Sequence, residues 1–354
     1  MLLPPNHMPS TGFVADYLVF WYVALSLAAL TVIWIRRARR EGTTTFRVVV
    51  GNVLVLVTLL SGVALSGETW FRYAYDATDS YGLTMTNWAW FRRHFTVNKF
   101  GLRDREWHME KAAGVERIAF LGDSFAGGYG VADPDDRFPD RVGRALASRQ
   151  PGTTEVWNAG GVGWSTADES TWLRELQPTA RFDRVVLAYC LNDSDDLLTA
   201  DERFDRESVP RMTVINPWQS FLFDFLWFRT RMTRDARVDG YFDWVTRAYE
   251  DDDIWSRQEQ RIRALGAYCA EAGIAFDVVV FPLFNSWGGD YPFDTAHDRV
   301  VAAFESTGAR VLDLRASYAG IAGSDLVVNR YDAHPNERAH GLAADAIIER
   351  FFND

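Results

Sequence analysis

Two long apolar segments near the start of the chain place the strongest limit on its fold. Residues 14–35 contain one charged side chain, Asp16, which lies near one end, and residues 48–66 contain none. A helix of about 20 apolar residues is long enough to cross the hydrocarbon core of a bilayer. The sequence therefore predicts a transmembrane hairpin within residues 1–67, with helices at about 14–35 and 48–66.

The charges around these segments predict their orientation. The stretch between them, RRARREGTTTFR, carries five arginines, whereas residues 1–10 carry no lysine or arginine. The positive-inside rule places such a short basic loop in the cytoplasm, so both chain ends face outward. We expect a multi-pass protein of the cytoplasmic (inner) membrane whose larger part faces the periplasm or the outside. A cleaved signal peptide, ending after the first run or near ALSG after the second, is the alternative, but no basic segment precedes the first run.

The overall charge argues against nucleic acid as a partner. The chain has 37 Lys and Arg against 48 Asp and Glu, a net charge of −11. Five of the positive charges belong to the predicted cytoplasmic loop, so the outward part is more acidic still, and it would repel a polyanion.

The only cysteines, Cys190 and Cys269, lie in an apolar strand-like run and in a helical pattern. We expect two buried free thiols rather than a disulfide.

Residues 68–115 are rich in Trp, Tyr, Arg and Asn without a sustained period. This composition predicts a juxtamembrane connector that packs against the domain or the lipid headgroups. Within it, Trp70, Phe71, Tyr73 and Tyr75 are candidates for an aromatic belt at the membrane interface.

From residue 116 to residue 354 short apolar runs alternate with helical patterns. Strands are predicted at 117–121, 155–158, 184–191, 275–281 and 310–312, and helices near 138–149, 166–176, 257–272, 295–306 and 336–351. Strands of continuous Val, Ile, Leu and Phe separated by helices are typical of a parallel sheet covered on both faces. The sequence therefore predicts a three-layer α/β domain with a five-stranded parallel sheet.

Residues 197–253 are too long for an ordinary connection and predict an insertion. Within it, NPWQSFLFDFLWFRTRM has eight large apolar residues between Trp218 and Phe228, too few to span a bilayer. A buried helix, a lid over the active site and a foot on the membrane surface all remain open. The EDDD run at 250–253 predicts a helix start, where acidic side chains favour the helix dipole.

One serine lies where the first predicted strand of the domain ends. In RIAFLGDSFAGGYGV, Ser124 follows the strand and precedes a glycine-rich turn with Gly127, Gly128 and Gly130. Such a position lies at the carboxyl edge of the sheet, where open α/β folds bind ligands. The turn has no lysine, which excludes a phosphate-binding loop, and no G-x-G-x-x-G pattern of a dinucleotide site.

A serine hydroxyl becomes a nucleophile only when a base accepts its proton. Asp332 and His334 lie two apart in what we predict to be a loop before the last helix, with Pro335 at the helix start. A carboxylate that fixes the imidazole tautomer leaves the other ring nitrogen free to accept a proton. His340 is expected to pack or cap locally, and the remaining histidines, which have no evident partner, are His7, His94, His108 and His297. No H-E-x-x-H spacing is present, so we expect neither a zinc site nor a cofactor.

Two further strand ends carry groups that can bind an oxyanion. NAGGVGWST follows the second strand and offers the Gly163 N–H, and YCLNDSDD follows the third and offers the Asn192 side chain. Asn192-Asp193 is equally compatible with a helix N-cap, and the acidic cluster at 193–196 with a hydrated loop.

Taken together, these residues resemble the SGNH, or GDSL-type, serine esterases and acyltransferases. Gly122-Asp123-Ser124, Gly163, Asn192-Asp193 and the Asp332/His334 pair match the four blocks of that family in order. The resemblance implies a flavodoxin-like three-layer domain with Ser124 as nucleophile, His334 as general base and Asp332 as its partner. It also implies an oxyanion hole formed by Ser124, Gly163 and Asn192.

The chain departs from the family pattern at two places. Cys190 stands where the third block usually has glycine, and the Asp332-x-His334 spacing is one residue shorter than the commoner form. The α/β-hydrolase fold is the nearest rival, but it requires G-x-S-x-G, and this chain has Ala126 at the final position.

The resemblance implies a membrane-anchored extracytoplasmic esterase or O-acyltransferase that forms an acyl-serine intermediate. Tethered relatives suggest acetyl esters of a cell-surface glycan as the substrate. A lipid or lysophospholipid-type esterase at the membrane surface is one alternative. The other is a catalytically silent module that binds a glycan or a membrane partner.

Overall fold

The computed structural model describes residues 13–198, 216–232 and 240–353. Its first two helices, α1 (Phe13–Glu41) and α2 (Thr45–Thr69), pack against each other, and α2 continues as a π-helix over Trp70–Ala74. Both are long and apolar enough to cross a membrane by length and composition. Four of the five arginines lie in α1 and the fifth in α2, so the predicted basic loop is reduced to residues 42–44. The helices are longer than predicted because basic and polar residues continue them beyond the apolar runs.

The connector contains regular structure that its sequence does not predict. Helix α3 (Met85–His94) begins at Thr84, whose hydroxyl accepts the Asn87 N–H at 3.1 Å. Its buried Trp90 and Phe91 pack against Tyr129 of the α/β domain. The connector is therefore packed against the domain.

The four candidate belt residues divide into two pairs. Trp70 and Tyr73 are exposed, whereas the rings of Phe71 and Tyr75 lie 4.4 Å and 5.3 Å from that of Phe225. Burial of the second pair leaves Trp70 and Tyr73 as the candidates for an interfacial belt.

The sheet is parallel throughout, as predicted. Its strands are β1 (Glu116–Gly122), β2 (Thr154–Gly160), β3 (Arg184–Cys190), β4 (Ala275–Phe281) and β5 (Arg310–Asp313). The spatial order is β2-β1-β3-β4-β5. In this order the chain reverses direction across the sheet between β1 and β3, which is where ligands bind in open α/β folds.

Helices follow the connector, and most of them cover the sheet. They are α4 (Ser124–Gly127), α5 (Phe138–Arg149), α6 (Thr166–Ala180), α7 (Phe221–Met232), α8 (Tyr241–Glu250), α9 (Asp252–Glu271), α10 (Asp294–Glu305) and α11 (Glu337–Phe351). Short 3-10 turns occur at Pro134–Asp136, Leu191–Leu197, Phe284–Ser286 and Gly323–Asp325. Helix α9 begins five residues before the predicted start because Asp251 accepts the N–H groups of Asp253 and Ile254. The acidic run thus marks a helix start, as predicted.

The segment before α11 is a strand and not the predicted loop. Strand β7 (Asp332–Pro335) pairs with β6 (Val327–Asn329) in a small antiparallel sheet. Pro335 ends the strand, and Asn336 caps α11 by accepting the Arg338 and Ala339 N–H groups at 3.1 Å and 3.0 Å. The helix therefore begins one residue later than predicted.

The insertion packs partly into the main core. Buried residues of α8, including Trp244 and Val245, belong to the core cluster around the sheet. One face of α7 is buried against the connector, with Phe221 beside Met85 and Ala89 of α3.

Cys190 and Cys269 are free and buried, as predicted.

A buried carboxyl joins α7 to α3. Asp224 accepts the Met85 N–H at 2.7 Å, and burial, with repulsion from Asp79 and Glu68, raises its pKa to about 8. Its carboxyl is therefore protonated in the folded protein at pH values where the unfolded chain has released the proton. Because the folded pKa is raised, this carboxyl stabilises the fold below about pH 4, and the contribution is lost as pH rises toward 8.

We expect the thermal midpoint of Asp224→Asn protein in detergent to fall less between pH 5 and pH 8.5 than that of the unmodified protein. The exposed Asp290→Asn serves as the control. An identical pH dependence in all three proteins would show that Asp224 is not the titrating group.

Candidate active site

Ser124 is placed by the end of β1. Strand β1 stops at Gly122, and Asp123 caps the short helix α4 by accepting the Phe125 N–H at 2.8 Å. A Cβ atom at position 160 would lie 2.1 Å from the Gly127 nitrogen, so β2 and α4 pack backbone against backbone. Only glycine permits this approach. It holds α4, and with it Ser124, at the carboxyl edge of the sheet.

The structure brings Ser124, His334 and Asp332 into one hydrogen-bonded chain. His334 Nε2 lies 2.9 Å from Ser124 Oγ, and His334 Nδ1 lies 2.5 Å from Asp332 Oδ1. When Nδ1–H donates to the carboxylate, Nε2 is left as the acceptor for the serine hydroxyl. Ser124 Oγ is also 3.3 Å from Asp123 Oδ2, but the contact with His334 is shorter. The arrangement is that of an activated nucleophile.

The short spacing between Asp332 and His334 follows from the strand. Alternate residues of an extended strand point to the same side, so residues two apart face the same way. Strand β7 therefore places both side chains on one side, where His334 reaches Ser124 and Asp332 reaches His334, and the His334 N–H also donates to Asp332 Oδ1 at 3.1 Å. The departure from the longer spacing leaves the contact intact.

The connector supports the β6–β7 hairpin with four hydrogen bonds. The Thr78 hydroxyl donates to Asp332 Oδ2, the carboxylate oxygen that does not face His334. The Ala333 N–H donates to Ser80 Oγ at 2.8 Å, and the Ser80 N–H donates to the Tyr331 carbonyl at 3.0 Å. The Asn329 side chain donates to the Thr78 carbonyl at 3.1 Å. These partners are about 250 residues apart in sequence, and no local pattern predicts them.

Tyr129 holds the imidazole from one side. Its ring is stacked on His334, with centroids 4.2 Å apart and an angle of 17° between the planes. The Tyr129 hydroxyl is 2.9 Å from both the Asp79 carbonyl and Asn87 Oδ1, which ties it to the connector. Sequence reasoning treated this residue only as part of the glycine-rich turn.

The three expected oxyanion donors line the same cleft. Ser124 is the first residue of α4, so its N–H has no acceptor within the helix. Gly163 has φ +76° in a turn closed by the Trp164 N–H and the Gly161 carbonyl, a conformation that favours glycine. Asn192 Nδ2 donates one hydrogen to Asp123 Oδ2 at 3.2 Å, and its second hydrogen is available to a ligand.

Asn192-Asp193 is not the helix N-cap that the sequence left open for the turn after β3. The N-cap residue is Cys190, whose N–H donates to Asp193 Oδ2 at 3.2 Å. Asn192 is therefore within the turn and its side chain is free of a capping role.

Three buried carboxyl groups lie behind the cleft. Burial raises the pKa of Asp123. Burial, with repulsion from neighbouring carboxyl groups that include Asp123, raises the pKa values of Glu169 and Asp193 well above their usual range. The raised pKa values mean that ionisation of these carboxyl groups costs more free energy than it does in water. Ionised groups at these positions would repel a developing oxyanion, so the direction of the shifts favours oxyanion binding.

The other described histidines lie outside the cleft. His340 is buried, accepts the Phe138 N–H at 3.2 Å and has its pKa lowered to about 3 by burial and nearby arginines, so it packs locally, as expected. His297 is buried 3.4 Å from the Asp313 carboxylate, and His94 is 2.7 Å from Asp76. His7 lies outside the described residues.

Across residues 13–198, 216–232 and 240–353 no cluster of three or more His, Cys, Asp or Glu side chains is arranged to hold a metal ion.

Side chains from the connector and the insertion complete the cleft. Tyr81 comes from the connector, Tyr241 and Trp244 come from α8, and Phe284 and Asn285 follow β4. The insertion therefore contributes directly to the walls around Ser124. Sequence reasoning assigned none of these five residues to the site.

A comparison with protein-family models supports the same family as the four sequence blocks. The GDSL-like lipase/acylhydrolase family model matches residues 120–342, which is more than half of the chain and includes all four blocks. A search of curated proteins finds no match.

Several solved structures are similar at low sequence identity. TesA is 12% identical, with 67% of this chain and 98% of that chain covered and a TM-score of 0.44. The esterase EstA from Pseudoalteromonas sp. is 16% identical, with coverage of 66% and 96% and a TM-score of 0.41. An acetylxylan esterase from Geobacillus stearothermophilus, solved as a catalytic variant, is 16% identical, with coverage of 69% and 98% and a TM-score of 0.43.

The family assignment rests on the matched family model. The chain is a member of the GDSL-like lipase/acylhydrolase family and is a serine ester hydrolase.

Proposed function

We propose that this enzyme is a membrane-tethered esterase or O-acyltransferase that removes or transfers acetyl groups on a cell-surface glycan. The transmembrane hairpin lies within residues 1–67, the connector within residues 68–115, and the catalytic domain with its insertion at 197–253 within residues 116–354. The observation that carries the proposal is the position of His334, 2.9 Å from Ser124 Oγ and 2.5 Å from Asp332.

In the first step Ser124 attacks the ester. Its hydroxyl proton moves to His334 Nε2 as Oγ bonds to the acyl carbon, and Asp332 stabilises the imidazolium that forms. The oxyanion is bound by the N–H groups of Ser124 and Gly163 and by the Asn192 amide. The ester C–O bond then breaks, and the leaving alcohol takes the proton from Nε2.

In the second step a water molecule or an acceptor hydroxyl attacks the acyl-serine. Its proton moves to His334 Nε2, the bond between Oγ and the acyl carbon breaks, and Ser124 Oγ recovers the proton from Nε2. The product is a carboxylic acid when water attacks and a new ester when a sugar hydroxyl attacks. The relative access of water and acceptor to the acyl-serine determines which reaction dominates.

The groove beside the cleft supports a glycan substrate. The two share Tyr81, Phe284 and Asn285, and the groove continues past the rings of Trp287 and Tyr331. Exposed Arg330 and half-buried Asn329 also line it and supply hydrogen-bond donors. Aromatic faces with amide and guanidinium donors suit a sugar, which presents both C–H faces and hydroxyl groups.

The location rests on the two apolar helices and the charges between them. The side chains of α1 and α2 are largely exposed and apolar, with arginines at the end distant from the catalytic domain. A reporter enzyme that is active only outside the cytoplasm, fused after Asp354, tests this topology. Activity of a cytoplasmic reporter at the same position would overturn it.

A lipid ester is the second candidate substrate, favoured by the exposed apolar side chains of α7, Phe223 and Leu226. Hydrolysis of p-nitrophenyl acetate and p-nitrophenyl octanoate by the purified protein distinguishes the two. We expect a higher kcat/KM for acetate. A preference for acyl chains of eight or more carbons would overturn the glycan proposal in favour of the lipid.

Thr78 provides a test of how the connector positions Asp332. Its hydroxyl is the donor to Asp332 Oδ2, so Thr78→Val leaves a buried carboxylate oxygen without this partner. We expect kcat for p-nitrophenyl acetate to fall about 10-fold, with little change in KM. Because serine supplies the same hydroxyl, Thr78→Ser should restore kcat, and a Thr78→Ser protein as impaired as Thr78→Val would contradict the positioning role.

A further inference from the structure

Helix α7 has one buried face and one apolar face that no described residue covers. Phe221, Asp224, Phe225 and Phe228 are buried, with the spacing of one helical face. On the opposite side Phe223 and Leu226 are 44% and 52% exposed, and Trp218 just before the helix is 61% exposed. A helix face in contact with water would carry polar residues at these positions.

This apolar face adjoins the apolar surface of the hairpin. The Leu222 side chain lies 3.2 Å from the position of a Cβ atom on Gly67 of α2. A cavity of about 380 Å³ is lined by Phe20 and Val23 of α1, Ala64 and Leu65 of α2, and Trp218 and Phe223. Its walls also include Ser61, seven residues before Glu68, or about 10 Å along α2. The same cavity is also lined by Glu68 and Ser220, so it extends from the polar junction into the apolar part of the hairpin, with Trp218 and Phe223 in its walls.

The attachment of α7 to the hairpin is built from paired polar groups. Glu68 of α2 accepts the Phe221 and Leu222 N–H groups at 3.0 Å each, and the Ser220 hydroxyl at 2.7 Å. It thus satisfies the free N–H groups at the start of α7.

The charge of Glu68 is itself paired. Arg72 Nη2 lies 2.7 Å from Glu68 and donates to the Gln219 carbonyl at 3.0 Å, and both charged side chains are buried. Gln219 Nε2 donates to Asp16 of α1 at 2.8 Å. Both helices of the hairpin are therefore joined to the start of α7. These bonds fix the position of α7 along the hairpin axis.

We propose that Trp218 and α7 form a membrane foot, inserted among the acyl chains of the outer leaflet, with lipid chains occupying the cavity between the foot and the hairpin. This inference rests on the proposed membrane tether. Three observations support a lipid occupant: the apolar face is continuous with that of α1 and α2, the cavity beside it extends from Glu68 into their apolar part, and the polar groups at the junction are paired, as an apolar surrounding requires.

The foot also orients the catalytic groove. Phe228, at the other end of α7, lines the groove that adjoins the cleft, together with Tyr331. Insertion of the foot therefore holds this end of the groove at the membrane surface. Substrates attached to that surface would reach Ser124 without leaving it.

Site-directed spin labelling tests the foot directly. Single cysteines for a nitroxide label are introduced by Phe223→Cys and Leu226→Cys, with Leu59→Cys on α2 and Gln260→Cys on α9 as references. Leu59 is exposed on the hairpin and Gln260 is exposed on the catalytic domain. The native cysteines are buried, and each protein is reconstituted in phosphatidylethanolamine/phosphatidylglycerol vesicles. Collision with oxygen, which partitions into lipid, is compared with collision with a water-soluble nickel complex.

We expect labels at Phe223 and Leu226 to favour oxygen, as at Leu59, but at shallower depth, and the label at Gln260 to favour nickel. Labels at 223 and 226 that behave like the one at 260, while 59 reports lipid, would overturn the foot and leave the tether intact. A label at 59 that reports water would overturn the tether and the foot together. Protection at 223 and 226 from both reagents would indicate a second protein copy and would also overturn the lipid occupant.

The measurement does not depend on catalysis. Repeating it in Ser124→Ala protein should give the same depths, so a failure of the catalytic proposal is distinguishable from a failure of the foot.

Discussion

The Ser124→Ala protein should lose at least about 10⁴-fold in kcat for p-nitrophenyl acetate relative to the unmodified enzyme. The alanine keeps the backbone N–H that contributes to the oxyanion hole but removes the atom that forms the acyl intermediate. The residual rate then comes from the oxyanion donors and from substrate binding alone. The comparison uses initial rates at saturating substrate. The concentration of folded protein in each sample is determined independently.

The exposed Ser148→Ala is a suitable control because it removes a serine hydroxyl from the surface of α5, outside the cleft. Its kcat should equal that of the unmodified enzyme. If Ser124→Ala retained ordinary activity with an unchanged thermal midpoint, Ser124 would not be the nucleophile.

The second large effect is expected for Asp332→Asn, with a loss of about 10⁴-fold in kcat. The amide can present an N–H to His334 Nδ1, which favours the tautomer with its proton on Nε2. That nitrogen then cannot accept the serine proton. The fully buried side chain has nearly the same volume, so the fold should be retained, as thermal unfolding in detergent would verify.

This variant also tests the short spacing. If β7 presents Asp332 and His334 on one side, as the 2.5 Å contact indicates, the loss should be as large as in a Ser-His-Asp triad of ordinary spacing. A kcat within a few-fold of the unmodified enzyme would mean that Asp332 does not orient the imidazole.

The sequence predicted the sheet and the central chemical groups because both have local signals. The strands are continuous apolar runs, which parallel sheets require on account of their two covered faces, and the predicted ends are within two residues of the structure. Ser124, Gly163 and Asn192 each follow a strand, so the parallel arrangement alone places them at one edge of the sheet.

The supporting contacts were not predictable because they depend on tertiary packing. The sequence around Asp332 contains proline and several polar residues, which resemble a loop, and the short strand forms through pairing with β6. Thr78 and Tyr129 contact the catalytic strand from segments that are distant in sequence. The composition of the connector predicts packing against the domain or the lipid headgroups, but its aromatic residues have no sustained period, so the contact of Trp90 and Phe91 with Tyr129 could not be assigned.

Labelling with a fluorophosphonate probe, followed by mass analysis of the modified peptide, tests the central claim most directly. The probe bonds covalently to an activated serine, and the account predicts a single adduct on Ser124 in the folded enzyme. His334→Ala should slow the labelling, since the base that accepts the serine proton is removed. An adduct on another residue, or no adduct on Ser124 in folded and ester-hydrolysing protein, would contradict the account.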